Sequence, residues 1–329
     1  MSYLDVSYFE EIKNISLQYL TRNYDYCYLK AMHEKNRLEG ADTIIVGSSH
    51  SMNGIIEKEL TNAGDVIQFS ISSQDLFYDY ENLKMAIKEA KRSIQRCLIN
   101  LGYYMLYQDL SKSPMLQGII STTYMNLFGD DKVHNFEGAK RVDLFQDISF
   151  DREKYPEEAI KEICSYWSNK VMHEQSSYYG SLLPRQNANL LGVKKVIWHL
   201  MSQEDKDNYA QNRTINGHNK LIKHADSRRE NEEILRNMVK LLYENGIKIY
   251  FFITPYTRAY MNYIDPEYKP DIFKTLDGLE LPVEFLDMND YLEEFDDSDF
   301  LDSDHLNDIG ASKATTLLNN FIGMVEENA

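Results

Sequence analysis

From residue 41 onward, short apolar runs alternate with longer stretches in which apolar residues recur at helical spacing. The first run, Thr43-Ile44-Ile45-Val46, is β-branched and has no charged face, the pattern of a parallel strand covered on both sides. A two-turn helix is predicted over residues 54–61, stopped near Gly64, with a second strand over 66–69. Lys and Glu spacing then predicts an amphipathic helix over 76–96, and 97–101 reads as the third strand. Between 109 and 229 the alternation lapses into aromatic, polar and mostly helical sequence, expected to be an insertion that roofs the domain. It resumes with a helix over 230–245 ended by Gly246, strands over 247–253 and 283–287, and an amphipathic run over 312–325. Strand, turn and helix alternating at these lengths predict βαβ units in an α/β, three-layer α/β/α domain on a parallel sheet.

Residues 5–39 carry apolar and aromatic side chains at helical spacing, with Tyr19, Leu20, Tyr24, Tyr28 and Leu29 forming a stripe. The expected organisation is therefore a helical N-terminal extension over 1–40, packing through this stripe onto an α/β domain over 41–329 that is interrupted by 109–229.

A formal net charge of −17 changes the choice of partner. Nucleic acid and anionic membrane both repel an acidic surface, so a small molecule fits better as the ligand. The opening residues lack the basic start and apolar run of a signal peptide, and no apolar stretch approaches the roughly 20 residues that span a bilayer. A cytoplasmic protein is expected. Cys27, Cys97 and Cys164 are widely spaced without a Cys-x-x-Cys pair, as reduced core thiols would be, and neither a disulfide nor a metal site is predicted. His134, His173, His199, His218 and His224 in the insertion show no metal-ligand spacing and are read as surface or locally bonded residues. Residues 211–218, rich in hydrogen-bonding groups, are read as a long loop. The acidic run over 296–308 lacks the Gly and spaced Glu of a calcium loop. No cofactor is called for.

Chemistry enters at the ends of the strands. Gly47 permits a sharp turn after the first strand, and Ser48, Ser49 and Ser51 place hydroxyls where open α/β sheets bind ligands. A Ser-rich helix cap would look the same locally. Near the other end of the sequence, Asp302 and His305 stand three apart, a spacing at which a carboxylate holds an imidazole in the tautomer that leaves its far nitrogen free to take a proton. His50 adjoins the candidate nucleophile, but adjacent side chains in a turn diverge, so it is not assigned as the base.

Gly47-Ser48-Ser49 after the first strand, paired with Asp302-x-x-His305 before the last helix, resembles the motif order of the SGNH, or GDSL-like, hydrolase and acyltransferase superfamily. Divergent branches that modify cell-surface polymers, similar to polysaccharide acetylation and D-alanyl transfer proteins, also carry Gly-Ser-Ser turns and Asp-x-x-His-Leu-Asn endings. The resemblance implies a flavodoxin-like sheet, Ser49 as nucleophile, His305 as base and Asp302 as its partner. It also implies an oxyanion hole from the amides of Ser49 and Ser73, with Ser73 where the family has Gly and Tyr104 in the place of its Asn. Strand alternation would send Tyr103 to the opposite face. Tyr256 and Arg258, in the turn after the fourth strand, are candidates for holding substrate. The implied function is a serine esterase or O-acyltransferase acting on an acylated carbohydrate or other small ester. The altered oxyanion blocks also fit a catalytically silent binding or assembly protein. An α/β-hydrolase elbow is excluded by placement, since that turn follows several strands rather than the first.

Overall fold

A computed structural model describes residues 6–176 and 198–328. Residues 177–197, inside the expected insertion, lie outside the described residues. The chain divides into two compact units, one of residues 1–35 with 111–177 and one of residues 36–110 with 178–329.

The first unit is helical. The lead-in forms α1 (Val6–Arg22) and α2 (Tyr24–Leu38), broken at Asn23. The Asn23 amide donates to the Tyr19 and Leu144 carbonyls at 2.9 and 3.0 Å, taking the chain out of the helix. α1 packs against α5 (Glu157–Ser176), and Tyr19 stacks on Phe145 with centroids 4.5 Å apart. Tyr19 of the stripe, expected to pack onto the α/β domain, thus has a partner inside its own unit. The first half of the long interval supplies that partner, and the described second half belongs to the other unit.

Among its described residues the second unit holds five strands: β1 (Thr43–Val46), β2 (Val66–Gln68), β3 (Arg96–Asn100), β4 (Lys248–Ile253) and β5 (Glu284–Asp287). All pairs are parallel and the order is β2-β1-β3-β4-β5, the flavodoxin-like arrangement. On one face, Ile45, Leu98, Tyr250, Phe252 and Leu286 pack with Ala314, Leu318 and Ile322 of α9 (Asp308–Glu327). Against the other face lie α4 (Leu76–Glu89) and α7 (Ala225–Glu244), joined through Arg228 to Asp271 of α8 (Tyr268–Asp277). The result is a three-layer α/β/α domain. Its strand order reverses between β1 and β3, so the carboxyl ends of these strands border the crevice in which such sheets carry their sites.

Two local expectations differ from the structure. The helix predicted over 54–61 instead occupies Ser49–Gly54, here α3, and is followed by single 3-10 turns at Glu57–Glu59 and Thr61–Ala63. Ile55 and Ile56 interrupt it because their extended backbone buries two β-branched side chains. The loop predicted over 211–218 begins as the last turn of α6 (Gln203–Ile215), whose Ser202 cap accepts from the Asp205 amide at 3.1 Å. Among the described residues no helix is long and apolar enough to cross a membrane.

Candidate active site

Gly47 decides the direction of the chain after β1. Its φ is +150°, and a Cβ there would stand 2.6 Å from Asn100 Cβ and 2.7 Å from Ser51 Oγ, so the turn and its close approach to β3 both require glycine. Ser48 caps α3, and Ser49 is the helix's first residue. The turn is pinned from several sides. Ser51 Oγ donates to the Ser48 carbonyl at 3.1 Å and to Ser70 Oγ at 2.8 Å, Asn53 donates to the Ser49 carbonyl at 2.9 Å, and Gln74 Nε2 donates to the Gly47 carbonyl at 3.1 Å. The Ser-rich stretch is therefore a helix cap and a candidate nucleophile turn at once.

The Asp302–His305 loop is built with similar economy. The Asp302 carboxylate accepts the backbone amides of Asp304 and His305 at 3.0 and 2.9 Å, closing the turn that brings it to the His305 ring. Thr257, just beyond β4, donates both its amide and its hydroxyl to the Ser303 carbonyl, at 3.1 and 2.8 Å, which ties the loop to the sheet edge. Asn307 ends the loop by capping α9, and Gly310 lets that helix approach so closely that a Cβ would stand 2.2 Å from the Asp299 carbonyl oxygen.

Residues 49 and 305 meet across 256 positions of sequence. Ser49 Oγ lies 2.8 Å from His305 Nε2, and His305 Nδ1 lies 3.0 and 3.1 Å from the two oxygens of Asp302. With Nδ1–H donated to Asp302, Nε2 is left to accept the serine proton. All three residues are half-buried. Burial opposes charge on His305, but Asp302 and Asp304 outweigh it and the imidazole's pKa is raised above the ordinary histidine value.

No protein-family model matches this chain, and no curated protein matches it in sequence. What the site can do is therefore argued from its own geometry.

Around the three residues lies a shell that sequence reasoning missed or misplaced. His50 does not diverge from its neighbour's site: its ring stacks on His305 with centroids 4.8 Å apart and planes 15° apart. Burial lowers its pKa, with its bond to Asp304 opposing. Asp304, buried, and Arg213 of α6, half-exposed, form an ion pair beside it. His218, read as a surface or locally bonded residue, is buried, stacks on Tyr104 at 3.7 Å and bonds Tyr260. Its pKa lies well below the ordinary value because of burial. Asp304, inside the Asp302–His305 turn, and His50, beside the candidate nucleophile, had local positions that could have pointed to them; Arg213 sat in a stretch whose polarity masked a helix.

The remaining predicted residues are spread more widely. Ser73 lies in the turn after β2 with φ +62°, a conformation that favours glycine, and its carbonyl accepts from Gln108 at 2.8 Å. Tyr103 and Tyr104 lie past the end of β3, in a turn, so strand alternation does not govern them. They nonetheless part company: Tyr104 sits edge-on to His50 at 6.1 Å, while the Tyr103 hydroxyl donates to Asp287 at 2.6 Å. Tyr256 is fully buried, edge-on to His50 at 5.3 Å, and forms the wall behind that ring. Arg258 is exposed and donates to the Leu292 carbonyl at 3.1 Å.

Donor atoms of His50, Asp304 and His305 all lie within 4.8 Å of one another, close enough to suggest a cation. Their chemistry does not fit one. His305 Nε2 faces Ser49 and Nδ1 faces Asp302, while Asp304 is held by a guanidinium that a cation would have to displace.

Proposed function

We propose that this protein is a serine esterase or O-acyltransferase of the SGNH type, working through Ser49, His305 and Asp302 on an acylated carbohydrate or other small ester. The observation that carries the proposal is the hydrogen-bonded series from Ser49 Oγ to His305 Nε2 at 2.8 Å and from His305 Nδ1 to Asp302 at 3.0 Å. A serine hydroxyl is a weak nucleophile until a base takes its proton, and a base is effective when its own orientation is fixed.

In this reading Ser49 Oγ attacks the ester carbonyl while its proton passes to His305 Nε2. The imidazolium is stabilised by Asp302, and the amides of Ser49 and Ser73 are assigned to the oxyanion. As the tetrahedral adduct collapses, His305 returns the proton to the leaving alkoxide and an acyl-Ser49 remains. Water or a sugar hydroxyl, deprotonated by the same nitrogen, then releases the acyl group. Ser73 supports the oxyanion assignment through its glycine-like backbone, which stands where the resembling family places a glycine. A cytoplasmic location belongs to the same reading, supported by three cysteines that are free and buried.

Turnover of a p-nitrophenyl ester, with and without added oligosaccharide acceptor, tests the proposal. Wild type is expected to release nitrophenol, Ser49→Ala and His305→Ala to fall by about 10⁴-fold or more, and an acceptor to accelerate release only if transfer is the natural reaction. Equal rates for wild type and Ser49→Ala would contradict it and favour a silent binding protein.

A further inference from the structure

Asp304 is a buried carboxylate with no place in the series from Ser49 to Asp302. It is 1% exposed, and its partners converge from three elements. Arg213 Nε lies 3.1 and 3.0 Å from its two oxygens and Nη2 lies 2.9 Å from one, His50 Nε2 lies at 3.3 Å, and the Ser303 hydroxyl donates at 3.0 Å. Such partners are what a carboxylate withdrawn from water requires. They do not explain why the group stands 3.9 Å from His305 Nδ1, or why the ring it holds is the one stacked on His305. His50 is held at both ends, since its Nδ1 lies 3.3 Å from Ser48 Oγ.

We propose that Asp304 and Arg213 are positioning residues for His305: the carboxylate fixes the His50 ring against the base and places a second negative charge beside it, and the guanidinium sets how much of that charge the base feels. The catalytic meaning of this arrangement rests on reading His305 as the general base, but the arrangement itself does not. Two adjacent imidazolium rings would repel; burial disfavours charge on His50, while two carboxylates stand beside His305, so His305 is the better placed of the two to carry charge during the reaction.

The groups that face His305 come from every element around it. Asp302 and Asp304 belong to its own loop, His50 to α3, and Arg213 to α6; Tyr209, also of α6, lies near Asp302, Asp304 and Arg213 rather than against the ring, and His218 and Tyr104 stack on each other beside His50 and Arg213. Of these, the carboxylates favour the imidazolium while Arg213 and burial disfavour it. The signs follow. Loss of the Asp304 charge should make His305 harder to protonate, loss of the Arg213 charge easier, and loss of both should nearly cancel.

The test is an NMR titration of the imidazole C–H signals in the full chain, with the His305 signal identified by its disappearance in His305→Gln. Asp304→Asn should lower the His305 midpoint by about one pH unit and Arg213→Gln should raise it by a similar amount. The double variant should return to within a few tenths of wild type, and Arg213→Lys should stay near it. A His305 midpoint unmoved by Asp304→Asn, or a double variant shifted as far as the single, would overturn the proposal. Arg213→Gln leaves a buried carboxylate uncompensated; if it fails to fold, Asp304→Asn and the double variant still decide. An enzyme inert toward esters whose His305 midpoint moves as stated would refute the esterase reading and uphold the positioning network, so the two failures are distinguishable.

Discussion

His305 lies between two carboxylates and the stacked His50 ring, and its protonation should govern the acid limb of activity. The base must be neutral to take the Ser49 proton, so kcat/KM should rise with pH through the pKa of His305. Because that pKa is raised, the half-maximal point should fall above the ordinary value of about 6.5. A limb centred clearly below that value would show that Asp302 and Asp304 do not act on the base as their positions imply. His50 invites a second measurement. It stacks on the base without bonding Ser49, so His50→Ala should lower kcat/KM by about 10-fold, well short of the roughly 10⁴-fold or greater loss in His305→Ala. Ser49, Asp302 and His305 were legible as candidates because two short turns, each ambiguous alone, stand in a motif order that resembles a known superfamily. His50 and Arg213 were not: their importance arises from ring stacking and ion pairing between segments that no local pattern connects.

Among the elements, α3 shows what the turn after β1 costs and what holds it. Gly47→Ala should destabilise the fold by on the order of 1–3 kcal/mol, since it places a side chain in a glycine-only conformation and against Asn100. Denaturant unfolding measures this, and a loss below a few tenths of a kcal/mol would mean the turn is less tightly fixed than its contacts suggest. The strands were readable from apolar, β-branched runs bounded by glycine. The helices were read less well where tertiary contacts overrode propensity. α3 starts at Ser49 because the Ser48 cap and the bonds from Ser51, Asn53 and Gln74 secure it there. α6 was obscured by a sequence with few apolar positions, although Ser202 and Asp205 already carried the signature of a helix start.

At the scale of the whole molecule, the parallel three-layer sheet follows from strand, turn and helix alternation, whereas its strand order was expected only through the family resemblance, since alternation and right-handed crossovers allow other orders as well. The grouping of residues 1–35 with 111–177 did not follow, because the contacts that make it join segments over 100 residues apart. The formal charge of −17 has a kinetic consequence at this scale. Raising ionic strength should increase kcat/KM for an anionic ester and leave a neutral ester of the same size unchanged, because salt screens long-range repulsion. Equal responses would place any charge sensitivity within the site instead. The central claim, that Ser49 is a nucleophile activated by His305, is tested most directly by treating the protein with a fluorophosphonate and locating the adduct by peptide mass spectrometry. The account predicts a single phosphonyl group on Ser49, absent in Ser49→Ala and strongly slowed in His305→Ala; no adduct on the folded wild-type protein, or one on another serine that persists in Ser49→Ala, would contradict it.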